Sequence, residues 1–174
     1  MEKDRNRHGH LAFRVELVPR RGMDEIARII EKGGTLLPHA RRCLASMEPD
    51  GYDKAHQPPH TQTVGVALLF FDCRKSQNLR QEFPQMLGYA EMFGYKRPLA
   101  CIVPRIHEKL TIPLRRTHNA SCVGALHKPI QLGGVDHILA TTVHGSQLEL
   151  MAVSESYGGG MHSLRALAFI DPEL

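Results

Sequence analysis

The run VGVALLFF at residues 64–71 constrains the fold more than any other stretch. Eight residues pass without a polar side chain, so a strand built from them is apolar on both sides of the pleat. Such a strand must be covered on both faces and belongs in the interior of a sheet. It is far too short to span a bilayer, which takes about 20 residues as a helix. A polar break, RKSQN, follows it. In residues 79–94 Leu79, Phe83, Met86, Leu87, Ala90 and Phe93 then recur at helical spacing. Pro84 predicts a kink or a helix that starts there, and Gly94 ends it. Leu99 to Val103 reads as a returning strand. Residues 60–104 are therefore expected to be a strand–helix–strand unit.

The rest of the chain is read outward from this unit. In HLAFRVELV (10–18), Leu11, Phe13, Val15 and Leu17 fall on one face and Arg14 and Glu16 on the other, a half-buried strand. MDEIARIIEK (23–32) is an amphipathic helix with Asp24 and Glu25 at its positive end, stopped by Gly33-Gly34. A second helical piece is expected from Thr35, with Pro38 in its first turn. Residues 48–60, rich in Pro, Gly and Asp, read as a surface loop with little to bury. LTIPLRR (110–116) alternates, and Pro113 argues for an edge strand. Residues 120–134 are open to either assignment. Residues 135–143 and 147–154 read as a hairpin turning at His144-Gly145-Ser146. SYGGG (156–160) reads as a loop, and a strand is favoured over a short helix for 162–170. The order predicts an α+β fold: a single domain over residues 10–174, with a mixed or antiparallel sheet and two or three helices packed on one face. A mobile basic arm, residues 1–9, precedes it.

At 174 residues such a domain can bury a core without a metal or disulfide staple. Its four cysteines, Cys43, Cys73, Cys101 and Cys122, form no C-x-x-C pair. No apolar segment follows the start MEKDRNRHGH, so a secretory signal is not expected. Unpaired thiols in an intracellular, cytoplasmic setting are the expectation. The net charge of +4 is uneven. Residues 1–42 hold ten Lys/Arg against six Asp/Glu, residues 43–116 ten against seven, and residues 117–174 two against five. That asymmetry favours attraction of the first two thirds to an anionic partner.

The basic residues come in pairs: Arg20-Arg21, Arg41-Arg42, Arg74-Lys75, Lys96-Arg97 and Arg115-Arg116. Brought to one edge of the sheet, they would make a phosphate-binding patch, and these ten are the candidate anion-binding residues. They also fit solvated positions at element ends. Aromatic residues are not interleaved with them, which argues against stacking on single-stranded nucleic acid.

Among eleven histidines, His8-Gly9-His10 is the sharpest cluster. On a strand, residues at i and i+2 share a face, close enough to share a zinc ion. The run HGHLAFRVELV, with Gly22-Met23-Asp24 after it, resembles the zinc-binding strand and following turn of 6-pyruvoyl-tetrahydropterin synthases. The resemblance implies zinc at His8 and His10; that family's further histidine ligand and catalytic cysteine lie upstream of the matching strand. Asp136-His137 with His144 is a possible acid–base pair, and His162 follows three glycines. Ser154 and Ser156 lack a G-x-S-x-G setting, and Gly158–Gly160 lacks the G-K-[ST] of a phosphate loop. No catalytic residue is assigned.

The layout of residues 10–75, a strand AFRVELV, a basic turn, a short amphipathic helix and an apolar strand VALLFF, resembles the early part of rhabdovirus matrix proteins. The resemblance implies self-association into a homo-oligomer, binding to nucleoprotein and to the inner face of an anionic membrane, and a place in the virion. The expected function is therefore a non-enzymatic, self-associating assembly protein with a basic surface for an anionic membrane or nucleoprotein, and no cofactor. The alternative is a small histidine-dependent enzyme using zinc at His8 and His10.

Overall fold

A computed structural model describes residues 5–70, 79–109, 122–144, 147–154 and 166–174. In chain order the elements are β1 (Leu11–Leu17), α1 (Gly22–Glu31), β2 (Thr35–Leu36), α2 (Pro38–Leu44), α3 (Tyr52–Ala55), β3 (Gln62–Phe70), α4 (Leu79–Glu91), α5 (Ile102–Lys109), β4 (Cys122–Ala125), β5 (Ile130–Leu132), β6 (Val135–His144), β7 (Gln147–Ser154) and β8 (Ala166–Ile170). They form a single-domain α+β fold around one mixed sheet, in the order β1-β3-β8-β4-β6-β7-β2, with β5 paired to β6. The β4–β8 and β2–β7 pairs are parallel and the others antiparallel.

β3 lies between β1 and β8, the interior place its two apolar faces require. Val66 and Leu68 project into a core with Ile26 and Ile29 of α1, Cys43 and Leu44 of α2, and Ile102, Val103 and Ile106 of α5. Ala67 and Leu69 project to the other side, against Met86 and Ala90 of α4 and against Ile138, Leu167 and Phe169. Helices α1, α2 and α5 thus share one face of the sheet, and α4 covers the second. The expected hairpin strands pair as β6 and β7, and the described part of 162–170 is the strand β8.

Several local expectations are corrected. The returning strand at 99–103 is instead a turn leading into α5, with one bridge between Lys96 and Ile170 upstream of it. Pro104 sits in the first helical turn, where a missing N–H costs nothing, so it is compatible with the start of a helix. Thr35 and Leu36 pair in parallel with Glu149 and Leu150 and do not start a helix. Leu37 before Pro38 is held extended (φ −73°, ψ 153°), and α2 begins at the proline. The 48–60 loop carries α3 and buries Tyr52, which is 1% exposed. α4 runs through Pro84, so the helix does not start there. Residues 5–9 of the expected mobile arm dock: Asn6 donates to Asp171 (2.9 Å) and Arg7 pairs with the same carboxylate (2.9 Å). The predicted strand at 110–116 and loop at 156–160 lie outside the described residues.

α1 ends as its Gly33-Gly34 pair predicts. Gly33 takes φ +79°, and the N–H of Gly34 reaches back to the Ile29 carbonyl (2.8 Å). Its start is set by contact with α2: a Cβ on Gly22 would lie 1.7 Å from the Leu44 carbonyl oxygen. Asp53 accepts the Gly22 N–H at 2.6 Å, so α3 caps α1. Gly22→Ala is therefore expected to lower stability by about 1–3 kcal/mol by forcing α1 and α2 apart. A urea midpoint equal to that of the unmodified protein would contradict the contact.

Candidate anion-binding site

β1 delivers its end, Leu17-Val18, to the turn Pro19-Arg20-Arg21, and α1 starts at once. Glu25 in the first turn of α1 points inward and is only 2% exposed. Two arginines bracket its carboxylate. Arg105 of α5, itself 8% exposed, donates to one oxygen, and Arg20 pairs with the other at 3.3 Å. A cleft of about 330 Å³ opens here, lined by Val15, Glu16 and Val18 of the strand side and by Arg20, Arg28, Arg105 and Lys109. A second depression, about 520 Å³, adjoins it through Arg20 and is lined also by Pro19, Arg21, Asp24, Asp53 and Gln57. The cleft gathers four cations, with Glu16 the one carboxylate in its lining among the described residues. Concave cationic sites of this kind hold oxyanions, with arginine offering a planar fork of donors.

Groups beneath the site stay neutral. Burial, and then the Glu25 carboxylate, push the Tyr52 phenol well above its usual range. Burial pushes the thiols of Cys43 and Cys101 up to about 12, so both stay protonated and unreactive.

Of the basic pairs among the described residues, Arg20-Arg21 alone borders this ground. Arg41 and Arg42 are exposed on α2, where Arg42 reaches the His39 ring (2.9 Å). Arg97 is a structural clamp: its Nε and Nη2 donate to the carbonyls of Leu126 (2.6 Å) and His127 (2.9 Å). Lys96 and Arg97 line a different depression with Leu87, Ala90, Glu91, Tyr95 and Phe169. Arg74, Lys75, Arg115 and Arg116 lie outside the described residues. The cleft's other cations, Arg28, Arg105 and Lys109, were missed from the sequence. Arg105 and Lys109 are at i and i+4, a spacing that means one helix face, but only once 102–109 is known to be helical.

His8 and His10 are not on a strand. They close a tight turn in which Asn6 and His10 pair through the backbone (2.9 Å) and Gly9 takes φ +79°. Their ring centroids are 6.2 Å apart. The Asn6 carbonyl oxygen accepts the backbone N–H groups of His8 (3.0 Å) and His10 (3.1 Å), and its amide nitrogen donates to Asp171 and to the Tyr95 hydroxyl (2.5 Å). The Tyr95 hydroxyl also hydrogen-bonds His10 Nδ1 (2.6 Å), the direction following the ring's tautomer. Burial, then His8, lowers the His10 pKa. Burial raises Asp171, but hydrogen bonds from Arg7 and Asn6 outweigh it and hold the carboxyl below its ordinary range. His137 is tied to the Val135 carbonyl (2.9 Å), while His162 and Ser156 lie outside the described residues. Among the described residues no three or more His, Cys, Asp or Glu side chains are grouped to hold a metal ion. Compared with protein-family models, curated proteins and solved structures, the chain matches none of them.

Proposed function

We propose that this protein is a non-enzymatic interaction and assembly protein, matrix-like in role, that docks on an anionic nucleoprotein through the cleft between β1, α1 and α5. The convergence of Arg20, Arg28, Arg105 and Lys109 on one concavity carries the reading. Homo-oligomerisation is its assembly step, as the matrix-protein resemblance implies. A nucleoprotein is favoured over a flat bilayer by the layout of α1. Met23 and Ile30 are exposed, but at 100° per residue they lie roughly 140–160° around the helix from Arg28. Apolar side chains that could enter a membrane therefore face away from the cationic cleft. Among the described residues no helix is long and apolar enough to cross a membrane.

Co-sedimentation with a single-stranded RNA oligomer, and separately with phosphatidylserine vesicles, tests this at low and high salt. RNA should bind at low salt and dissociate steeply as salt rises. Lys109→Glu, at an exposed helix end, should weaken it by about tenfold or more. Absence of RNA binding at low salt, or binding indifferent to salt and to Lys109→Glu, sinks the proposal. Vesicle binding in preference to RNA would transfer the role to a membrane.

A further inference from the structure

We propose that the outer edge of β1 and the cleft beside it form one docking surface for an extended acidic peptide of the partner, which joins the sheet as a strand next to β1. The proposal rests on the anion-cleft reading and names the chemistry of the protein component it would grip.

Among the described residues β1 is the last strand on its side of the sheet, and its one strand neighbour is β3, apart from a single bridge between Arg5 and Leu11 at its start. Such a strand carries a row of N–H and C=O groups on its outer side, ready to pair with another chain. Successive side chains of a strand point to opposite faces. Val15 belongs to the core beneath α1 and α5, and Glu16 is exposed on the other face, yet both line the cleft. A cleft touching both faces of one strand wraps around the edge that no described strand covers.

A strand laid against that edge places every second side chain on the helix-facing side, level with Val15 and Leu17. There it meets Arg28 of α1 and Arg105 and Lys109 of α5. Acidic residues at those alternate positions complement the cations. The intervening residues lie beside Arg14 and Glu16, both exposed, where small polar side chains suffice. Backbone pairing supplies affinity and the alternate pockets supply specificity, as in other strand-addition complexes. A phosphate chain meets the same cations but has no amide groups to satisfy the edge.

The probe is a capped peptide of about eight residues alternating glutamate and threonine, the length of an ordinary strand. Its partners in the test are the same peptide with glutamine for glutamate and a single-stranded RNA oligomer. The glutamate peptide should bind at low salt and slow amide exchange across residues 12–17 by about tenfold or more. The glutamine peptide, and the glutamate peptide on Lys109→Glu, should each bind at least about tenfold more weakly. Peptide binding without protection of β1 overturns the strand-addition geometry. RNA binding without peptide binding overturns the peptide and leaves the cleft reading standing. Failure of RNA and peptide alike overturns both. Protection of β1 in the free protein, accompanied by a dimer in sedimentation, shows that a second copy already occupies the edge.

Discussion

Lowering the pH from about 6.5 to about 4 will remove roughly 5 kcal/mol of folding stability, because His56 and His127 are built into the core as neutral rings. Both are 0% exposed, and their rings meet edge to face with centroids 5.2 Å apart. His127 Nε2 accepts the Leu139 N–H (2.8 Å), so its proton sits on Nδ1 and is donated to the Lys128 carbonyl (2.6 Å). His56 Nδ1 accepts the Ala100 N–H (3.4 Å), and its Nε2 has no hydrogen-bond partner among the described residues. Neither ring can take a proton without losing a backbone hydrogen bond. Burial is the largest cause of the shift in each, lowering His56 to about 4 and His127 to about 3. The unfolded chain binds protons from about 6.5 downward while the native rings do not, so stability is full above that pH and lost as pH falls. Asp171 acts in a lower window: despite burial, its folded carboxyl is held below the ordinary carboxylate range by Arg7 and Asn6, so what it contributes is lost only as the pH falls through that range. Urea midpoints measured across pH 7 to 4 check the claim, with His56→Gln as the control. That variant should flatten the slope by about one proton, whatever its own stability. A midpoint that does not change across this range would show that the two rings are not held neutral.

The sequence disclosed the parts of the fold that rest on local periodicity. Val66 to Leu69 of β3, Leu11, Val15 and Leu17 of β1, and Ile26 and Ile29 of α1 are buried where the pattern says, while Phe70 and Ile30 stay exposed. What it concealed depends on proline context and on contacts between distant segments. Pro104 looks the same whether it ends a strand or opens a helix, and only the packing of Ile102 and Ile106 against β1 decides it. That ambiguity hid the cleft, since Arg105 and Lys109 become neighbours on a helix and not on a loop. Of the described basic doublets, Arg20-Arg21 borders the cleft while Arg41-Arg42 and Lys96-Arg97 lie elsewhere. Adjacent residues on a helix point about 100° apart, so a doublet rarely acts as one unit. Arg97 shows the outcome, spending its guanidinium on two carbonyls. Tyr52 and His56 were overlooked because a Pro- and Gly-rich composition does not show that a loop is clamped over the core.

Replacing Glu25 should produce two effects of opposite sign. The carboxylate is nearly inaccessible and neutralises Arg105, which is also largely buried. Removing one member of a buried pair leaves an uncompensated charge and costs about 3–5 kcal/mol, so Glu25→Gln and Arg105→Met should each be strongly destabilising. The double variant should be less destabilised than the two singles combined, because a well-packed neutral pair avoids the desolvation that the ion pair suffers. If the losses simply add, Glu25 and Arg105 are not coupled and the site's floor is misassigned. Affinity should move the other way. Glu25 is the negative charge that both Arg20 and Arg105 already serve, so its neutralisation leaves the cleft more positive. Under conditions where Glu25→Gln remains folded, it should bind the RNA oligomer at low salt several-fold more tightly, by about 1 kcal/mol for one nearby charge. Weaker binding by a folded Glu25→Gln protein would mean that Glu25 organises the arginines for the ligand. Unchanged binding would place the ligand outside the cleft. A destabilised protein that holds anions more tightly is a result that loss of structure cannot produce, and it would locate the binding site at the Arg20–Glu25–Arg105 triad.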